Sequence, residues 1–199
     1  MAGAREGHLA QLCEAARLTD IESLSLTVTV GFATSGAGTA VHWCDHGGMT
    51  AWRDVEQAEP EFAQRVRALF DAHKHKTIAT VRADGSPRIS GIEADFEDGE
   101  LVFGSMPGAR KGADLGRDPR FALHGGTVDP VEGAEAQWPG EVKIAGRAVA
   151  AGPPTEGPDG DRFRADIAEV VHTHLNEEAT MLVVEWWTPT QGRRRVDRE

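Results

Sequence analysis

The chain has 199 residues, of which 40% are hydrophobic and 27% are charged, values typical of one globular domain with an apolar core. Its formal net charge of −11 argues against nucleic-acid binding and against attachment to anionic membranes, because an acidic surface repels polyanions. The sequence has no long apolar stretch, no secretory signal and only Cys13 and Cys44 as cysteines, so we expect no membrane span, no disulfide framework and a cytoplasmic location.

Residues 1–48 differ in pattern from the rest of the chain. They contain one short amphipathic helix candidate, from Gly7 to Leu18, and one apolar alternation, LSLTVTVGF, without an obvious pairing partner. We therefore expect 1–48 to be an extension that is poorly ordered or not native, with Met49 as the natural start and 49–199 as the folded domain. The alternative is an arm that packs on a partner subunit.

A helix is predicted from Pro60 to His73. Proline suits the first helical position, and Phe62, Val66 and Phe70 fall on one face. This pattern is typical of a helix that covers a core.

After this helix the apolar period changes to two, which indicates strands. Three strands, TIATVRA, RISGIEADF and ELVFGS, are separated by the turns DGSP and EDG and predict a β-meander. A short helix, ARKGADLGRD, comes next, followed by the strands RFALHGGTV, EVKIAGRAVAAG, FRADIAEVVHTHL and MLVVEWW and by a polar, basic tail, TPTQGRRRVDRE. Many short strands without parallel crossover units predict a mainly β barrel with short helices.

The segment GSMPGARKGADLGRDPR is a candidate anion site. Ser105 ends a strand, and Arg110 and Lys111 lie in the first turn of the following helix. Cations there oppose the helix dipole, whereas free backbone N–H groups together with Arg and Lys favour a bound anion. The alternative is a solvated basic turn that pairs with Asp114 or Asp118.

Residues 77–123 resemble the pyridoxamine 5′-phosphate oxidase-like family of FMN-binding split barrels. The resemblance is carried by a strand pair with a Gly-x-Pro turn, a strand that ends in a small hydroxyl residue, an Arg-Lys pair and a DPR sequence. The segments GEVKIAGRAV and VVEWWTPTQGRRRVDR resemble the closing strands of the family, so most of 60–198 is covered and none of 1–48. The resemblance implies a split β-barrel, dimeric, with FMN at the interface of a homodimer.

The resemblance also implies the site residues. Ser105, Arg110 and Lys111 match phosphate-contacting positions, and the strand from Arg88 to Ile92 matches the one along the flavin, with a register uncertain by one residue. Trp187, with Trp186 as its alternative, resembles a residue that reaches the partner's flavin, although barrel packing is an equal interpretation. The full cofactor-binding set is Arg88, Ser90, Gly91, Ile92, Gly104, Ser105, Arg110, Lys111, Trp187 and Arg198.

Two departures argue against vitamin B6 oxidation. The closing GRRRVDRE keeps Asp197 and Arg198 but lacks the family's histidine, and Ala94 or a neighbour stands where a lysine is usual. The chain is more similar to the actinobacterial-type members, which use FMN or the deazaflavin coenzyme F-420.

The resemblance therefore implies an oxidoreductase that transfers hydride to or from an unknown small organic substrate, with chemistry supplied by FMN or deazaflavin. No catalytic acid or base can be identified. The alternatives are a non-catalytic flavin or haem binder, for which His124 is the candidate haem ligand, and, more weakly, a true pyridoxamine 5′-phosphate oxidase.

Other patterns predict no further site. His172 and His174 share one strand face, but metal ligation needs a third and a fourth donor, so no metal is expected. The sequence HWCDH at 42–46 lies in the extension. Three consecutive arginines, 193–195, are too few in an acidic chain to predict nucleic-acid binding.

Overall fold

The computed structural model describes residues 49–152 and 159–199. The predictions made for residues 1–48, and for most of the loop PPTEGPDGD, lie outside these ranges. No helix within them is long and apolar enough to cross a membrane.

The predicted helices and strands are present in the predicted order, and a further helix precedes Pro60. The helices are α1 (Trp52–Ala58), α2 (Pro60–Asp71) and α3 (Arg110–Arg117), with a 3₁₀ turn at Glu135–Gln137. The strands are β1 (His75–Val81), β2 (Pro87–Glu97), β3 (Glu100–Ser105), β4 (Arg120–His124), β5 (Glu141–Ala150), β6 (Asp161–Leu175), β7 (Leu182–Thr188) and β8 (Gly192–Arg198).

The first helical region is divided in two. Glu59 adopts a non-helical conformation, with φ −142° and ψ 70°, because it precedes Pro60, whose ring disfavours a helical neighbour. The seven residues before Glu59 form a separate helix, α1, in which Trp52 and Val55 are completely buried.

Six strands form a closed antiparallel barrel, which confirms the predicted mainly β split-barrel fold. Their order is β3-β2-β1-β4-β5-β6, and pairing of β3 with β6 closes the ring. The first residues of β6 pair with β3 and its last residues pair with β7: Phe163 lies opposite Phe103 of β3, and His172 lies opposite Glu185 of β7. β7 and β8 therefore extend the sheet beyond the barrel.

The core lies inside the barrel and under α1 and α2. Period-two alternation points one face of each barrel strand inward, and Trp52 of α1 packs on Phe96 with ring centroids 4.4 Å apart. The largest fully buried side chains are Trp52, Phe62, Phe70, Ile78, Leu101, Leu123, Ile144, Ile167, Val55, Val66, Val142 and Val170.

The polar tail forms a strand. β8 pairs with β7 from Leu182 opposite Arg198 to Thr188 opposite Gly192. Its side chains are mostly exposed, so it lacks the apolar alternation by which strands are recognised in sequence. A row of arginines suits the edge of a sheet, where charge discourages pairing with another chain.

Candidate cofactor site

The end of β3 and the start of α3 form the centre of the candidate site. Ser105 is buried at the end of β3, and the chain reverses through Gly108, whose φ of 70° favours glycine. α3 then begins after Ala109, whose side chain cannot cap the helix. The first-turn N–H groups of α3 thus lack a side-chain cap and can donate to an anion.

The helix packs closely on the strand end at Gly112. A Cβ at this position would overlap Ser105 Oγ and Asp161 Oδ2, so any larger residue would require these two side chains to shift. The Ser105 hydroxyl donates to Asp161 Oδ2 at 2.9 Å. A carboxylate from the start of β6 therefore already accepts a hydrogen bond from the serine that was predicted to bind phosphate.

The two predicted cations lie at the same helix end. Lys111 Nζ donates to the carbonyl oxygen of Gly91 at 2.6 Å, which links α3 to β2. Its ammonium has two further N–H donors available for a ligand. Arg110 is exposed and forms no ion pair among the residues that the structure describes. The site therefore combines a hydroxyl donor, helix N–H groups and two positive charges.

Arg88 lies beside this cluster but is engaged by an acidic residue. Its Nε donates to Asp114 Oδ2 at 2.6 Å, and the same buried carboxylate accepts from Thr80 Oγ1 at 3.0 Å and from Arg117 Nη2 at 3.2 Å. The hydrogen bond from Arg88 lowers the pKa of the Asp114 carboxyl, against burial, which raises it. This network attaches the inner face of α3 to β1 and β2.

Because its pKa is lower in the folded state, Asp114 stabilises the fold above its ordinary pKa of about 3.9, and this contribution is lost as the pH falls through the folded value. We expect Asp114→Asn to lower the free energy of unfolding by about 2 kcal/mol at about pH 7, and by much less at about pH 3. Urea titrations at both pH values, with the exposed Asp71→Asn as control, measure the difference. An equal loss at both values would contradict the role of the charge.

The other predicted site residues on β2 and β3 differ in exposure, because successive side chains of a strand point to opposite faces of the sheet. On β2, Ser90 is half-buried and Ile92 is buried on the inner face, whereas Gly91 between them is exposed. Gly104 on β3 is exposed, and a Cβ there would lie 3.1 Å from the carbonyl oxygen of Asp161. At Gly91 nothing lies within 4 Å of the position of a Cβ, so a flat ligand has room to approach the backbone closely there.

The structure does not bring Trp187 or Arg198 to this cluster. Trp187, on β7, is 4% exposed and belongs to the apolar core, whereas Trp186 is half-buried on the opposite face. Arg198 is exposed at the end of β8 and forms no ion pair within 49–152 and 159–199. Their predicted contact with a partner's flavin stays a prediction.

Two acidic residues of the site were not assigned there from sequence. Asp161 reaches Ser105 across the β3–β6 closure, and no local motif marks it. Asp114 was considered as a partner of the anion-site cations, but it accepts from Arg88 and Arg117 instead. Its position on the inner face of an amphipathic helix, between Lys111 and Leu115, was the available signal.

The sequence matches a family model described as pyridoxamine 5′-phosphate oxidase over residues 62–194, about two thirds of the chain. A search of curated proteins finds no significant match.

Solved structures are similar at low sequence identity. PhzG from Burkholderia lata 383, in complex with tetrahydrophenazine-1-carboxylic acid, has 12% identity and a TM-score of 0.52 over 71% of this chain and 93% of its own. A pyridoxamine 5′-phosphate oxidase-related, FMN-binding protein from Nostoc punctiforme PCC 73102 has 14% identity and a TM-score of 0.49 over 76% and 98%. An F-420 reductase has 18% identity and a TM-score of 0.39 over 51% and 92%. The similarity to PhzG supports the barrel fold.

Proposed function

The chain belongs to the pyridoxamine 5′-phosphate oxidase family, and we propose that it is an oxidoreductase that holds FMN, or the deazaflavin coenzyme F-420, by a phosphate at the start of α3. The substrate is a small organic molecule that gives hydride to the cofactor or takes hydride from it. When bound, the cofactor supplies the redox chemistry, and the protein supplies binding and orientation.

The observation that carries this proposal is the donor set around Ser105. A buried hydroxyl donates to a carboxylate, next to an uncapped helix start that bears Arg110 and Lys111. The contact with the Asp161 carboxylate indicates that this hydroxyl is placed to donate to an anion. A phosphate, with three terminal oxygens, would accept hydrogen bonds from the neighbouring donors as well. These residues fit a phosphate monoester.

The roles of the other residues follow from their positions. Lys111 places its charge between α3 and the carbonyl of Gly91, at the side of β2 that would run along the ring system. Arg88 is held by Asp114 through Nε, so its terminal N–H groups remain free to donate. The exposed backbone at Gly91 permits the close approach of a planar ring.

A partner subunit is part of the proposal. Ile89 on β2 and Met106 after β3 are each 76% exposed although they are large and apolar, and both flank the site. Apolar side chains in this position are typical of an interface. We therefore propose a homodimer with the cofactor between subunits, and light scattering on the full chain tests it: a monomer at micromolar concentration would contradict the dimer.

The test of the function has two steps on the full chain. Titration with FMN and with coenzyme F-420 shows which cofactor binds. Anaerobic mixing of the reduced complex with candidate hydride acceptors, and of the oxidised complex with candidate hydride donors such as pyridoxamine 5′-phosphate, measures turnover. Binding followed by reoxidation is expected. Binding without turnover of any acceptor would favour a storage protein, a Soret band with haem would favour a haem binder, and binding of no flavin would contradict the proposal.

Asp161 gives this proposal a distinctive prediction. The Asp161 carboxylate accepts the hydrogen bond that the Ser105 hydroxyl would otherwise donate to a phosphate, and it adds negative charge at that place. We expect Asp161→Asn to strengthen FMN binding by about three- to tenfold, because a competing anion is removed. Fluorescence titration measures the change, and Asp159→Asn, which removes the same charge from an exposed neighbour, is the matched control. A weaker affinity in Asp161→Asn would show that the carboxylate supports the cofactor instead.

A further inference from the structure

A second cluster of polar side chains lies outside the barrel site, where β6 pairs with β7. His172 lies opposite Glu185 in this pairing, and His174 follows on the same face. Glu185 Oε2 is 3.8 Å from His172 Nδ1 and 3.5 Å from His174 Nε2. The third donor that the histidine pair lacked in sequence is thus supplied by the neighbouring strand.

The outer nitrogens of both rings are held by backbone carbonyls. His172 Nε2 lies 3.3 Å from the carbonyl oxygen of Pro139, and His174 Nδ1 lies 2.7 Å from that of Leu175. Because a carbonyl oxygen only accepts, each of these nitrogens carries the hydrogen. The other ring nitrogens, His172 Nδ1 and His174 Nε2, lie towards Glu185 and are the atoms through which each imidazole can bind a metal.

Glu185 is an ionised acceptor. Arg65 Nη2, from α2, donates to its Oε2 at 2.8 Å, and Arg193 Nη1, from β8, donates to its Oε1 at 3.2 Å. Three potential ligand atoms, His172 Nδ1, His174 Nε2 and a carboxylate oxygen of Glu185, thus converge on one point. His172 Nδ1 is buried, with its residue 3% exposed, and has no hydrogen-bond partner among the described residues.

We propose that His172, His174 and Glu185 bind a divalent transition metal of the zinc type. Two imidazoles and one carboxylate form a known zinc ligand set, and the contacts of the outer nitrogens and of the carboxylate with neighbouring groups are those that orient metal ligands. The three donor atoms lie within 4.8 Å of one another, and tetrahedral bonds of about 2.0–2.2 Å require about 3.3 Å, so the site closes by about 1.5 Å at most.

The site has room for an exchangeable ligand. His174 also lines a groove of about 530 Å³ that is bordered by Arg195 and Asp197. Three protein ligands leave the fourth zinc position open towards solvent or a small molecule. Arg65 shares Oε2 with the metal or is displaced from it, so the affinity is set in part by this arginine.

The test uses tag-free full chain, stripped with a chelator, and Zn²⁺ and Co²⁺ as probes. We expect about one Zn²⁺ per chain by calorimetry and the visible absorption of tetrahedral Co²⁺. We also expect Zn²⁺ to raise the melting temperature, because the metal binds only the folded site. His174→Gln, at a half-buried position that tolerates the change, is expected to lose at least about a hundredfold in affinity.

The control is His75→Gln, which removes an exposed histidine that lies 3.9 Å from Glu93 and does not belong to the cluster. This variant is expected to bind Zn²⁺ like the parent chain. Equal affinity in His174→Gln, or no Zn²⁺ binding by the folded parent chain, would overturn the proposal and leave the cluster as an ion-pair network. Because the measurement needs no flavin, its outcome is independent of the proposed oxidoreductase activity.

Discussion

Replacing Lys111 by alanine is expected to weaken FMN binding by about ten- to hundredfold. A charge-assisted hydrogen bond to phosphate contributes about 1.5–3 kcal/mol, and Lys111 is the half-buried cation at the helix start. The stability of the free protein should change little, because the carbonyl that Lys111 contacts belongs to the exposed Gly91 and can bind water. Quenching of flavin fluorescence measures the affinity.

The matched control is Lys143→Ala, which removes the same charge from an exposed position on β5, where the lysine pairs with Glu141. Its FMN affinity should equal that of the parent chain. If both lysine variants lose affinity equally, the effect is one of net charge, and if neither loses it, the phosphate lies elsewhere.

Trp187→Ala is expected to lower the free energy of unfolding by about 3–5 kcal/mol, because it empties a large volume in the core. Trp186→Ala, at the half-buried position on the opposite face, should cost about 1 kcal/mol. Urea unfolding followed by circular dichroism compares the two neighbours. The comparison of the two variants distinguishes core packing from flavin contact, the two interpretations of Trp187 that the sequence left open.

A Trp187→Ala chain of unchanged stability that has lost FMN binding would place this side chain on the cofactor and would contradict its position in the core. Trp187→Phe, which keeps much of the volume, should remain folded and allows affinity to be measured even where alanine unfolds the chain.

The barrel was predictable because its signals are local. Alternating apolar residues in β1 to β5, and turns such as Asp84-Gly85, specify strands without knowledge of their partners. β8 carries no such local signal, because its exposed side chains are mostly charged, and only the resemblance of this segment to a closing strand of the family indicated it. The division between α1 and α2 is also a local effect, because the ring of Pro60 disfavours a helical conformation at the preceding residue, Glu59.

The parts of the candidate sites that are close in sequence were predictable, and the parts assembled by pairing were not. Ser105, Arg110 and Lys111 fall within one turn and helix start. Asp161, by contrast, reaches Ser105 only because β6 closes the barrel against β3. Likewise, Glu185 faces the histidines only in the register of β6 with β7, which no single strand reveals.

The central claim is that the start of α3 binds the phosphate of the cofactor. The most direct test compares the affinity for FMN with the affinity for riboflavin, which has the same ring and ribityl chain but no phosphate. The full chain should bind FMN at least about tenfold more tightly, a difference of about 1.4 kcal/mol, and Lys111→Ala should reduce this ratio. Equal affinity for the two flavins in the parent chain would contradict a phosphate site at Ser105, Arg110 and Lys111.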